Sequence, residues 1–328
     1  MALLLGLQYL RIGAAGVGRL VAVVGGHTFA GAVGGGWLLA YVVGSGSPVA
    51  AVALGLHAGG ALGGTALYGM LAGGRLGAAS GVLMVGAVAW LRGRRVPDAL
   101  YPGVIALVTT ALLYLPAFPL GYLLARTGWF DAARVAAPPP VRGVATLFLP
   151  SADWLGAHLG GLPVFALGLV AVALALRWFE AALPDVGARG GALPGSPWGL
   201  FAVGFALTVV MVSAVAAVGL LLPLTMNGRI HRRQLVPYII GADVGTFVDK
   251  LFVASLVGGG GGQPAVLALL AAVLATAVVV LAVAERPFSG LALRLAGRAT
   301  RDGRSLLGFA VAVLSAPLLL VLAGRLAG

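Results

Sequence analysis

The sequence predicts an all-α polytopic membrane protein built from two inverted repeats with broken or re-entrant helical hairpins. Three observations carry that prediction. Of 328 residues, 60% are hydrophobic and only 9% charged, with a mean hydropathy of +1.06, whereas a soluble domain carries about 25% charged residues. Uncharged apolar stretches of spanning length, roughly 20 residues, stand out at 199–226, 264–284 and 305–324. The chain also repeats itself at a fixed offset of 168 residues. Gly73-Gly74-Arg75-Leu76-Gly77 aligns with Gly241-Ala242-Asp243-Val244-Gly245, and Ser45, Leu54, Leu56, Gly60 and Leu67 meet Ser213, Leu222, Leu224, Gly228 and Leu235 without a gap. Few identities survive, but the glycines keep register. Two similar halves with polar residues at matched interruptions of apolar segments point to a transporter whose site lies at the repeat interface.

The first repeat, residues 1–125, opens with a helix at 2–20. Its start, Met1-Ala-Leu-Leu-Leu-Gly-Leu, lacks a basic n-region, so no cleaved leader is expected. A small-residue apolar hairpin follows at 28–60, then a glycine-interrupted segment at 66–91, then a plain span at 99–125. Within the interrupted segment Gly69, Gly73, Gly77 and Gly81 form an i, i+4 row. Such a row either lets another helix approach closely or lets the helix break and offer its backbone to a ligand. A linker at 126–159 contains Pro138-Pro139-Pro140. The second repeat, 160–284, restates the order with a helix at 162–178, a hairpin at 199–226, an interrupted segment at 235–257 and a span at 264–284. Gly258 to Gly262, ahead of Gln263-Pro264, cannot hold a stable helix and is read as a loop. Residues 285–328 are read as a basic loop and an additional C-terminal transmembrane helix with no counterpart. The total is about eight to ten membrane segments.

Composition removes several classes of function. Cysteine is absent, which excludes disulfides, thiolate metal sites and cysteine nucleophiles. The net charge of +12 comes from arginines grouped in short loops, at Arg92, Arg94 and Arg95, at Arg229, Arg232 and Arg233, and from Arg286 to Arg304. Grouped so, they are orientation signals rather than a nucleic-acid surface. Inverted halves would put matching loops on opposite sides, so the orientation stays open. No His-Glu-x-x-His, Walker lysine or dinucleotide fingerprint occurs. Ser80-Gly81 with His57 does not match a nucleophile turn, and His57 is read as a hairpin-packing residue. An enzyme is not expected.

The costly charges sharpen the argument. The chain has nine Asp and Glu, and none precedes Asp98. Arg75 lies deep in an apolar segment with no acid near it in sequence. Arginine cannot shed its proton and must be paired or hydrated. Asp243 occupies the equivalent position of the second repeat, and equivalent positions meet near a two-fold axis. Arg75 is therefore expected to pair with Asp243, with Asp249 as second choice. Lys250 is the only lysine. It stands beside Asp249 in a membrane segment, either taking part in ion or proton coupling or snorkelling from the segment end.

These residues resemble a family. Pro237-Tyr-Ile-Ile-Gly-Ala-Asp-Val-Gly-Thr246 is similar to the Gly-Ala-Asn-Ile-Gly-Thr-Thr motif of type II sodium–phosphate cotransporters, and Leu71-Ala-Gly-Gly-Arg-Leu-Gly-Ala-Ala79 is a weaker copy. The family's Gln-Ser-Ser-Ser motif falls at Gly44-Ser45-Gly46-Ser47 and at Val212-Ser213-Ala214-Val215. Leu5-Gly-Leu-Gln-Tyr-Leu and Val164-Phe-Ala-Leu-Gly-Leu169 resemble the first helices of that family's repeats. The resemblance covers about residues 3–284. It implies two inverted repeats and a site of Ser45, Ser47, Arg75, Ser213, Asp243 and Thr246, with sodium near Ser45 and Ser213, and Asp249 joins the candidate site as an acid inside a membrane segment. The departures are equally plain. Both glutamines are gone, the motif asparagines are replaced by Arg75 and Asp243, and only Thr246 remains of the paired threonines.

The expected function is secondary active transport of a small anionic solute by alternating access at the inner membrane, with multiple passes. Phosphate is the first candidate, sodium or a proton is the coupling ion, and no other cofactor is implied. Arg75 favours an anion because a guanidinium matches phosphate and carboxylate geometry. The bilayer is the implied partner, and a homodimer is left open. The alternative is a degenerate, non-transporting scaffold or partner subunit on the same fold, with Arg75 and Asp243 locking the halves together.

Overall fold

A computed structural model describes residues 2–23, 27–80, 83, 96–133, 135, 149–182, 194–211, 214–219, 231–257 and 262–327. Everything described is helix or turn, with no strand among the described residues. Three helical runs are long and apolar enough to cross a bilayer, Leu100–Arg126, Gln263–Ala299 and Gly303–Ala327. They mark the chain as a membrane protein. Four shorter apolar helices accompany them.

Helix α1 (Ala2–Val23) lies along α7 (Gly161–Ala182). Gly6 faces Val172, Gly13 faces Phe165 and Gly16 faces Leu162, so the two run antiparallel with backbones in near contact. Helices α2 (Phe29–Val43) and α3 (Gly46–Ala58) make the expected first hairpin. Thr28 caps α2 by accepting the Gly31 N–H at 3.1 Å. Gly44 ends it at φ 75°, a left-handed conformation that suits glycine. His57 closes the turn after α3 through its Nδ1, 2.7 Å from the Leu62 carbonyl.

Helix α4 (Gly64–Ala79) packs on α2, and α5 (Val96–Arg126) follows with Pro102, Pro116 and Pro119 inside it. In the second half, α8 (Pro197–Met211) and α9 (Ala214–Gly219) precede α10 (Arg232–Gly245). The segment expected to be interrupted at 235–257 passes from α10 to α11 (Phe247–Val257) at Thr246, a single residue in right-handed conformation whose N–H still bonds the Ala242 carbonyl at 3.2 Å. Helix α12 (Gln263–Val279) packs against α5.

The offset seen in the sequence reappears as packing. A methyl group on Gly73 of α4 would strike the Val33 carbonyl of α2, and one on Gly241 of α10 would strike the Phe201 carbonyl of α8. Gly36 abuts the Met70 carbonyl as Gly204 abuts that of Tyr238, and Gly77 abuts the Trp37 carbonyl as Gly245 abuts that of Phe205. In each couple both members differ by the same offset. The glycine row therefore works as a close-packing face. Cross-contacts also correspond, since α10 touches α5 while α4 touches α12.

Two expectations need correction. The stretch read as a basic loop after residue 284 is helical, as α13 (Glu285–Ala299). Pro287 has no N–H to give the Val283 carbonyl. The chain widens into a π turn over Val280–Ala284 and carries on, as helices do around such a defect. The linker read at 126–159 is not all linker, because its end folds as α6 (Leu149–Leu159). Its middle, with Pro138 to Pro140, lies outside the described residues, as do the glycine loop at 258–261 and most of 81–95. The last helix, α14 (Gly303–Ala327), rests on α2 through Gly31, Gly34 and Gly324.

Candidate functional site

Arg75 reaches the interior because of its glycine neighbours. Gly73 and Gly77 press one face of α4 onto α2, so the arginine projects from another face toward α10. It is 4% exposed and Asp243 is 0% exposed. The Arg75 Nη2 donates to Asp243 Oδ1 in a buried ion pair. This is the pairing the acid count predicted, and Asp249 is not the partner. Thr110, on α5, donates its hydroxyl to the same oxygen at 3.2 Å. Tyr114, one turn further along α5, lies close enough to interact electrostatically with both charges.

The site is not saturated. Arg75 Nε, Asp243 Oδ2 and the Tyr114 hydroxyl are buried without a hydrogen-bond partner. Buried polar groups in that condition are uncommon and costly, about 1–3 kcal/mol each. A small cavity of about 10 Å³ opens beside them, with Arg75, Thr110 and Asp243 as its polar lining and Ala78, Ala79 and Ala106 among its apolar walls. That volume suits about one water molecule.

A second set of charges lies one turn on. Thr246 donates its hydroxyl to the Asp243 carbonyl at 2.8 Å. The Lys250 ammonium donates to the Thr246 carbonyl at 2.7 Å and lies 3.5 Å from Asp249 Oδ1. It also sits 5.5 Å from the centre of the Phe247 ring. Lys250 is only 3% exposed, so it does not snorkel. The neighbours 249 and 250 share a contact because the long lysine side chain folds back, although adjacent helical positions do not face each other. Lys250 also interacts electrostatically with Arg75 and Asp243.

The structure thus brings together Arg75, Asp243, Thr246 and Asp249 of the expected set. Ser47 is buried and Ser45 half-buried at the start of α3, where Ser45 makes no capping bond with its side chain. Neither lines the cavity. Ser213 lies outside the described residues, and the adjoining Ala214 lines the cavity. Sequence reasoning missed Thr110 and Tyr114. The available signal was Thr109-Thr110, a polar couple in the middle of an apolar helix.

A cation does not fit the cavity, since the Arg75 guanidinium forms part of its wall. Among the described residues no group of three or more His, Asp or Glu could hold a metal ion. Comparisons with protein families, with characterised proteins and with solved structures each gave no match.

Proposed function

We propose that this chain is a multi-pass inner-membrane transporter of two inverted repeats, a divergent relative of the type II sodium–phosphate cotransporters, rather than an enzyme. It would carry a small anion, phosphate being the first to test, by rocking the halves about a central site. The observation that carries this reading is the buried contact between Arg75 and Asp243, residues that are equivalent at an offset of 168. A contact between equivalent positions maps onto itself under a two-fold axis. The matched glycine contacts and the exchanged α10–α5 and α4–α12 contacts fit the same symmetry.

Charge balance favours a proton as the coupling ion. Arg75 and Lys250 are offset by Asp243 and Asp249. An anion entering alone would leave the buried set with net negative charge, which low-dielectric surroundings penalise. A proton on Asp243 would release the Arg75 guanidinium to the anion and keep the set neutral. The unpaired Arg75 Nε and Asp243 Oδ2 at the cavity are the groups that would receive the two. The cavity of about 10 Å³ is far too small for phosphate, so the site would have to widen to admit it.

The scaffold reading draws on that same smallness. Alanine walls around a buried ion pair would make a lock. Uptake of labelled phosphate into proteoliposomes, with imposed proton or sodium gradients, separates the two. Proton-driven accumulation that disappears in Arg75→Gln is the expected result. A correctly folded protein that accumulates neither phosphate nor other small anions under any gradient would leave the scaffold reading standing.

A further inference from the structure

We infer that Lys250 is a built-in cation that fills the ion site at the α10–α11 junction, so that the protein binds no sodium there. This deepens the transport reading but stands on its own geometry. Where a membrane helix breaks, its freed carbonyls and nearby carboxylates form a ready site for a small cation. Here the helix changes at Thr246, which stays in right-handed conformation with its N–H on the Ala242 carbonyl. Two carbonyls near it are taken by side chains. The Asp243 carbonyl accepts from the Thr246 hydroxyl, and the Thr246 carbonyl accepts from the Lys250 ammonium at 2.7 Å. Asp249 supplies the carboxylate at 3.5 Å, with its other oxygen buried and unpartnered.

The ammonium therefore sits among the oxygen ligands that sodium would use: a backbone carbonyl at the junction and a carboxylate. A lysine headgroup is a compact point charge with three donors and can stand in for a monovalent cation. The charge count agrees. Formally, Arg75 and Lys250 balance their ion-pair partners Asp243 and Asp249, and a further cation would leave an excess of positive charge. The chain's one lysine, amid otherwise arginine-only basic residues, occupies this position. The fixed planar fork of arginine would fit it poorly.

Thermal unfolding of the purified full-length protein in detergent tests the inference without reference to transport. Melting is compared in sodium, potassium and choline chloride at equal ionic strength. The wild type is expected to melt at the same temperature in all three. Lys250→Met leaves the set with a net negative charge and opens the carbonyl–carboxylate site. It is expected to show a saturable, sodium-specific rise on the order of 3 °C. The charge-balanced double change Lys250→Met, Asp249→Asn should lose that response. A sodium-specific, saturable shift in the wild type overturns the inference. So does a Lys250→Met protein that is indifferent to sodium, or one that fails to fold in sodium as fully as in choline.

Discussion

The α2–α4 pair of the first half and the α8–α10 pair of the second share a packing register and differ in chemistry. Gly36, Gly73 and Gly77 meet the same backbone atoms of their partner helix as do Gly204, Gly241 and Gly245. Yet across the equivalent stretch the second half carries Asp243, Thr246, Asp249 and Lys250, where the first carries Arg75, Ala78, Gly81 and Val82. Close packing of two helices needs only small residues at fixed places, and these have been kept in both halves. A binding site at a two-fold interface needs one working set of polar groups. The first half supplies Arg75 together with Thr110 and Tyr114 of α5, and the second supplies both acids and the lysine.

Breaking the shared part should have the largest effect. Gly73→Leu or Gly241→Leu forces a side chain into an opposing carbonyl, and each is expected to destabilise by about 3 kcal/mol or more. Loss of folded protein in gel filtration after membrane extraction would show it. Gly35→Ala, where a methyl group meets nothing within 4 Å, should be neutral by the same measurement.

Breaking the differing part comes next. Asp243→Asn alone leaves Arg75 buried and unpaired, a loss of roughly 3–5 kcal/mol. The double change with Arg75→Gln should be more stable than that single, read as the melting temperature. If the double change loses as much as the sum of the singles, the pair is not coupled. Thr110→Val sharpens the comparison further. It removes one hydrogen bond to a charged group and should lower stability by about 1.5 kcal/mol, and the effect should vanish in Asp243→Asn.

The smallest effect lies outside both halves. Asp302 accepts the Ser305 N–H at 2.8 Å at the start of α14, and these hydrogen bonds hold its carboxyl below the usual carboxylate range. A depressed folded-state value means the stabilisation is present above the ordinary carboxylate pKa and is lost as pH falls through the lower, folded value. Asp302→Ala should therefore slightly lower the melting temperature near neutral pH and make no difference in strong acid.

How much of this could be read beforehand depended on how rare each residue type is in its setting. The partner of Arg75 was legible because no acid precedes Asp98, leaving few candidates. The interrupted segments were legible as segments, but the glycine row by itself left close packing and a broken helix both open, and the change of helix at Thr246 was not placed. Thr110 was not, because a threonine in a membrane helix is equally at home bonding its own backbone. The sequence left Lys250 open between a buried role and snorkelling, and the fold buries it. Helix α3 packs across α11, the helix that carries Lys250, a tertiary contact with no trace in local sequence. Helix α13 was hidden because a proline among arginines looks like loop, and a π turn is invisible in composition.

The C-terminal helix has a consequence of its own. Tyr41 donates to the Val313 carbonyl at 2.8 Å, fastening α14 to α2, while α8, the counterpart of α2, has no such companion among the described residues. In a carrier of two equal inverted halves, swapping their roles produces inward-facing and outward-facing forms of identical energy. A passenger helix attached to one half alone removes that degeneracy. If the chain is the proposed carrier, one side of the membrane would then become the resting side, set by a helix that lies outside both halves.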